Sequence, residues 1–460
     1  MLRAHREKPL RRPALTTNHT LLTMELAHAH VASSLDEQFE FTAESKRRLL
    51  IGIGVGVALV AIGSYLLATG VGSHESHEVV QGSGASEGDD GGHAYKWTNR
   101  LYANIWLNAI YFIGASVIGL FFISYNYLAQ AGWSSGFKRI PEAMPAYVLP
   151  MGLVIVAVFF LAGHDLFHWT NPDLFDKASK SYDPIIAGKS GFLNTPFYLI
   201  RLAIYIGSWY ILWRMLRNFS LQEDIHGGTS YYEKSIKYGT AFLVVFAITS
   251  STSAWDFVMS IDTHWFSTMF GWYTLASWHV TGLAIITLTV VTLKERGYLQ
   301  IVNESHLHDL GKFMFAFSIF WTYVWFSQFM LIYYANLPEE TIYFRERFSG
   351  YGGIYKAPFF INILLNFAFP FLVLMTRDAK RTYIFLKIAA WGIIVGHYFD
   401  FYGNIMPGTV GEHAGFGPIE FGMILIFACG FMWSLSSQLA KANLIAKNHP
   451  MLEESLHHDI

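Results

Sequence analysis

The chain has 460 residues, of which 53% are hydrophobic, 17% aromatic and only 14% charged, with a net charge of −2. A soluble domain carries about 25% charged residues, so this balance belongs to a polytopic membrane protein and gives no basis for a nucleic-acid partner. A single cysteine, Cys429, excludes iron–sulfur ligation, CxxCH haem attachment and structural disulfides within this chain.

The N-terminus carries Arg3, Arg6, Lys8, Arg11 and Arg12 without the apolar core of a signal peptide. Residues 1–45 read as a polar arm, 46–440 as a membrane domain and 441–460 as a tail. Apolar runs fall at about 49–72, 100–132, 143–168, 193–216, 237–260, 268–294, 310–335, 356–376, 385–403 and 416–440. Most approach or exceed the ~20 residues that cross a bilayer. The pattern predicts an all-α polytopic protein of about ten transmembrane helices. Pro150 and Pro370, inside spans, suit membrane helices better than soluble ones.

Lysine and arginine crowd alternate connections: Lys46–Arg48, Lys138 and Arg139, Arg214 to Lys237, Lys294 to Lys312, Arg377 to Arg381, and Lys441 with Lys447. The stretches Ser73–Gly92, Ile261–Ser267 and Gly403–Gly415 have none. With positive charge inside, both termini are expected to be cytoplasmic. Ser73–Gly92, Trp169–Gly191 and Asn336–Tyr355 then face the periplasm.

A charge in hydrocarbon costs roughly 2.5 kcal/mol or more, so ionisable residues inside spans usually mark a path or a site. At 1.5 Å per residue, His164, Asp256, Asp400 and Glu420 should lie within roughly 5–7 Å of the periplasmic helix ends. His397, Gln328 and Arg201 come at about 9–12 Å, and His279 near the midplane. The cytoplasmic halves are expected to hold nothing comparable.

Each group has a plain reading beside a functional one. His164 and His168 are i,i+4, a spacing that puts two ligands on one helix face. A protonatable His164–Asp165 pair is the better reading, with His168 beside Trp169 at the interface. Asp256 is either a helix-end carboxylate paired with a cation or a functional group. Asp262 and His264 read as solvated loop residues. His279 lacks a second deep histidine at haem-ligand spacing. The run Phe320 to Tyr334 offers flat aromatic walls with Gln328 as a polar contact, which suits a quinone headgroup and equally suits ordinary packing. His397 and Asp400, i,i+3, share a face as proton acceptor and relay.

The stretches SAWDFVMSIDTHWFSTMFGWY, FWTYVWFSQFMLIYYANLPEET and GHDLFHW, in ten spans, resemble one family. They look like the membrane subunits of alternative complex III, a bacterial quinol:cytochrome c oxidoreductase related to polysulfide-reductase membrane-anchor (NrfD-like) proteins. The similarity runs from about Lys46 to Ala440, and the polar arm is more like the quinone-binding subunit 2. The resemblance implies two four-helix bundles, spans two to five and six to nine, flanked by two peripheral helices. It also implies partners: a homologous quinone-binding membrane subunit, an iron–sulfur subunit, c-type cytochromes and lipids. Haem and iron–sulfur clusters would sit in those partners, and this chain would bind quinol without a covalent cofactor or metal of its own. The resemblance places His164, Asp165, Asp256 and Gln328 where quinol is oxidised. His397 and Asp400 join them as candidates; Arg201, His279 and Glu420 are candidates for a proton path. Two other readings stay open, a proton-conducting subunit without a quinone site and a structural scaffold.

Overall fold

The computed structural model describes residues 35–69 and 96–459. Most of the N-terminal arm and the expected Ser73–Gly92 loop therefore lie outside the described residues. Among the described residues, ten helices are long and apolar enough to cross a membrane: α1 (Ala43–Thr69), α2 (Trp97–Leu128), α3 (Arg139–Leu166), α4 (Thr195–His226), α5 (Ser230–Ile261), α6 (Phe270–Glu295), α7 (Glu304–Ala335), α8 (Lys356–Val373), α9 (Tyr383–His413) and α10 (Pro418–Leu439). The all-α polytopic expectation holds.

Helices α2–α5 pack as one group and α6–α9 as a second, joined mainly through α2 and α6. These two are the most deeply buried. Glycine lets their backbones approach: a Cβ at Gly114 would lie 2.0 Å from the Trp278 ring, and one at Gly282 would lie 2.3 Å from Ile118. Helices α1 and α10 form an antiparallel pair at the edge.

Several limits differ from the sequence expectation, and for a common reason. Helix α4 runs on to His226 and α3 starts at Arg139, because Arg139, Glu142, Arg217 and Glu223 are buried together instead of marking membrane exits. The connection expected at Asn336–Tyr355 contains a helix, Pro338–Phe348. It starts after Asn336 closes α7 in the left-handed region (φ 50°), where asparagine is tolerated.

The segments next to the two termini meet on one face. Gln38 bridges to Asn443, and Glu37 accepts hydrogen bonds from the N–H groups of Leu299 and Gln300. The C-terminal segment then runs across the bundle ends as a strap. Glu454 Oε1 accepts from the N–H groups of Gly132 and Trp133, and His458 Nε2 lies 2.8 Å from Asp309 on α7.

Candidate functional site

At the end opposite Gln38 and Asn443, α6, α7, α8, α9 and the helix Pro338–Phe348 enclose a narrow cleft of about 410 Å³, open mouth included. Its walls are Trp325, Phe344, Phe359 and Phe399; Gln328, Tyr273, Tyr343, Arg347, Asn362, Asn404 and Asp400 supply the polar atoms. Two candidates from different helices, Gln328 and Asp400, thus share one cleft. Its free interior, about 20 Å³, admits one water molecule or so. A six-membered ring would enter only if lining side chains move aside.

Asp400 is 2% exposed and receives only donors. Oδ1 accepts from the Tyr273 hydroxyl and from Asn362 Nδ2 at 3.0 Å; Oδ2 accepts from the Ser277 hydroxyl at 2.7 Å. His397, one turn earlier on α9, is fully buried against the edge of Trp321, 5.3 Å between centroids. Its two ring nitrogens have no hydrogen-bond partner, and Nδ1 stands 3.6 Å from Asp400 Oδ2. That is ion-pair range, beyond a hydrogen bond.

A run of hydrogen bonds leads outward from Asp400. Asn404 Nδ2 donates to the Tyr273 hydroxyl at 3.3 Å, and the Tyr343 hydroxyl donates to Asn404 Oδ1 at 2.7 Å. Arg347 lies over the Tyr343 ring at 3.3 Å and donates to Asp262 at 3.4 Å. Burial works against the Arg347 charge, but Tyr343, Asp262 and Glu346 more than offset it and raise its proton affinity.

Tyr343 and Asp262 also line a larger, open cleft of about 1990 Å³, open mouth included. His164, Asp165, His168, Asp183, His264, Glu346, Glu412 and His413 are on its walls. Asp262 and His264, expected as solvated loop residues, are thus site-lining: Asp262 pairs with Arg347, and His264 Nε2 lies 2.5 Å from Asp183. Burial pushes the Asp183 carboxyl up, yet His264 and the N–H groups of Ile186 and Ile185 hold it below the usual range. The helix-face spacing expected for His164 and His168 is not kept. The backbone leaves helical geometry at Ala162 (φ −137°) and is extended at Phe167, so His168 begins a separate turn. His164 Nδ1 is 3.0 Å from the Thr170 hydroxyl. Among the described residues, no group of three His, Cys, Asp or Glu side chains is placed to hold a metal ion.

The remaining candidates are engaged elsewhere. Asp256 receives both arms of Arg201 at 2.7 Å and the Tyr205 hydroxyl at 2.7 Å, a closed buried ion pair away from the Gln328 cleft. Glu420 is held by Arg100 at 2.7 and 3.0 Å, by Asn104 and by the N–H of Gly417. His279 is buried among Phe121, Tyr125 and Phe317, with no hydrogen-bond partner for its ring nitrogens.

The half of the molecule nearer Gln38 and Asn443 is not empty of chemistry, contrary to the sequence expectation. Glu142 accepts from Arg139 (2.9 Å), Arg217 (2.8 Å) and Ser220 (2.7 Å); Lys138 donates to Glu223 (3.0 Å), and Arg139 reaches Asp224. Three cations and three carboxylates neutralise one another, which is how Lys138 and Arg139 come to be buried in place of lying in a loop.

A comparison with protein-family models found no match, and a comparison with curated proteins found none either.

Proposed function

We propose that the chain is an integral-membrane subunit of a respiratory quinol:cytochrome c oxidoreductase, and that it takes quinol in the cleft between Gln328 and Asp400. The observation that carries this reading is the convergence of Gln328, Tyr343 and Asp400 on one aromatic-walled cleft. A quinol headgroup needs flat apolar walls and a polar contact at each oxygen. Oxidation releases two protons as well as two electrons, so a base must touch a hydroxyl. Asp400 is that base in this reading, and His397 behind it is a second acceptor within ion-pair range. Protons leave by way of water admitted to the cleft, past Tyr343 and Arg347 toward Asp262 and the open cleft. The electrons go to a metal centre in a partner subunit, since one cysteine cannot ligate a cluster. In the membrane the open cleft would face the periplasm, where the resemblance places the iron–sulfur and cytochrome partners.

The test is photolabelling of the membrane-embedded complex with an azido-quinone, followed by peptide mapping. Label on α7 or on Pro338–Phe348, displaced by excess quinol, is the expected result. Label confined to another subunit would give this chain a proton-handling or scaffold role instead. The buried network around Glu142 favours the proton-handling version of that second reading, because it supplies titratable groups in the opposite half.

A further inference from the structure

Pro370 stands four residues after Asn366 in α8. Its missing N–H and its ring deny the Asn366 carbonyl an α-helical bond. The helix widens there into a π-turn, Leu364–Ala368, a form that often marks a functional position. Two asparagines occupy this stretch, Asn362 just before the π-turn and Asn366 within it, 5% and 0% exposed. Asn366 Nδ2 donates to Asn362 Oδ1 at 2.5 Å, and Asn362 Nδ2 donates to Asp400 Oδ1 at 3.0 Å. The first bond decides the second. With its oxygen engaged, the Asn362 amide can turn only its N–H toward Asp400. Asn366 is itself pressed onto α9 at Gly396, where a Cβ would lie 2.3 Å from Asn366 Oδ1. The residue beside His397 has no side chain, and the asparagine fills that space.

We propose that Asn366 is a positioning residue for Asp400, acting through Asn362 to keep a donor, never an acceptor, turned toward that carboxylate. The proposal deepens the reading of Asp400 as the base for quinol. A carboxylate met only by donors has its oxygens held in fixed directions, whereas an amide oxygen turned toward it would repel and displace them. The other titratable or charged groups facing Asp400 are Tyr273 from α6, His397 on its own helix, and Tyr343 and Arg347 across the cleft. Helix α7 contributes Trp325 and Gln328, which do not titrate.

The experiment is infrared spectroscopy of the full chain in its membrane assembly, with aspartate ¹³C-labelled at the side-chain carboxyl. The Asp400 carboxylate band is assigned by its loss in Asp400→Asn. Asn362→Leu removes the donor directly. Asn366→Leu frees the Asn362 amide to turn, and Asn366→Asp, nearly isosteric, draws its N–H away. All three should displace the band in the same direction, and in the two Asn366 variants, whose residue does not line the cleft, quinol oxidation should fall about tenfold in kcat with KM unchanged. A band that moves in Asn362→Leu but stays in place in both Asn366 variants overturns the proposal. Should the variants fail to accumulate, solid-state NMR of the unsubstituted protein decides. Magnetisation transfer from a ¹⁵N asparagine side chain to the Asp400 ¹³C carboxyl is expected, and its absence overturns the proposal as well. Neither spectroscopic measurement contains quinol, so a chain that never binds quinol would still give the displaced band. The two failures are therefore told apart.

Discussion

His397 Nδ1 and Asp400 Oδ2 are 3.6 Å apart in a fully buried site, and the imidazole has no other polar contact. A neutral buried histidine without partners contributes nothing that an apolar residue of its size would not, and leaving its polar atoms unpaired costs about 1–3 kcal/mol. In the proposed reading it stands there to take up a proton beside Asp400 during turnover. His397→Met should leave thermal stability in detergent unchanged or higher while slowing quinol oxidation. Asp400→Asn, which keeps the shape but turns one acceptor oxygen into a donor, should slow turnover by roughly 10²–10⁴-fold, the usual loss for a general base. Normal turnover in both variants, in an assembled complex, would remove the proposed site.

Asp256 behaves differently in this structure. Its carboxylate is fully occupied by Arg201 and Tyr205, and it touches neither cleft. Breaking a buried ion pair from one side leaves an uncompensated charge and costs about 3–5 kcal/mol. Asp256→Ala should therefore lower the thermal midpoint and the yield of assembled complex, and the double change Arg201→Met with Asp256→Ala should recover part of that loss. Complex that does assemble should oxidise quinol at the normal rate. A stable Asp256→Ala protein with slow turnover would return Asp256 to the site.

What the sequence disclosed and what it hid divide along a physical line. Hydrophobic run length depends on one segment at a time, so the ten helices were legible, as was the i,i+3 pair His397–Asp400. The partners of those groups were not. Tyr273, Ser277, Asn362, Asn404 and Arg347 reach Asp400 or its exit from α6, α8, α9 and a connection, and no single-helix pattern announces a contact between helices. One signal was available: Tyr273 with Ser277, Asn362 with Asn366, and Asp400 with Asn404 are each i,i+4, polar stripes on otherwise apolar helices. Lys138, Arg139 and Arg217 misled for the opposite reason. Near helix ends they counted as solvated loop charges, while the carboxylates that bury them sit far away or looked equally loop-like.

That buried network should announce itself in stability. Glu142 accepts from two arginines and Ser220, and its backbone carbonyl accepts from Trp213. Glu142→Gln retains the volume but strips the charge facing Arg139 and Arg217. The expected outcome is a loss of about 3 kcal/mol or more, read as a lower thermal midpoint. A midpoint within error of the unsubstituted protein would mean that water, not Glu142, balances the two guanidinium groups.

Orientation is open to direct measurement. Glu412 is exposed at the open-cleft end and Lys441 at the strap end. With Cys429→Ala as background, Glu412→Cys should react with a membrane-impermeant maleimide added to the periplasmic side, and Lys441→Cys only after permeabilisation. The reverse pattern would turn the cleft toward the cytoplasm and remove the proton exit proposed above.

The strap supplies a pH-dependent prediction. His449 is 7% exposed, packed edge-on to Tyr232 at 5.2 Å and close to the Lys138 network. Burial, with help from the Lys138 charge, pushes its proton affinity down from the ordinary 6.5 to about 2. The sign follows from linkage: a histidine that is neutral when docked and free to protonate when released binds more protons in the released state. Docking is then unaffected above pH 6.5 and weakens as pH falls below it. At pH 5 the loss amounts to about 2 kcal/mol, a factor of roughly 30 in the docked-to-released ratio. Hydrogen exchange of the segment after Leu439 should accordingly quicken by that order between pH 7.5 and pH 5, once the intrinsic rate is corrected. In His449→Gln the acceleration should vanish. An equal acceleration in both proteins would place the pH sensitivity elsewhere among the contacts of the strap.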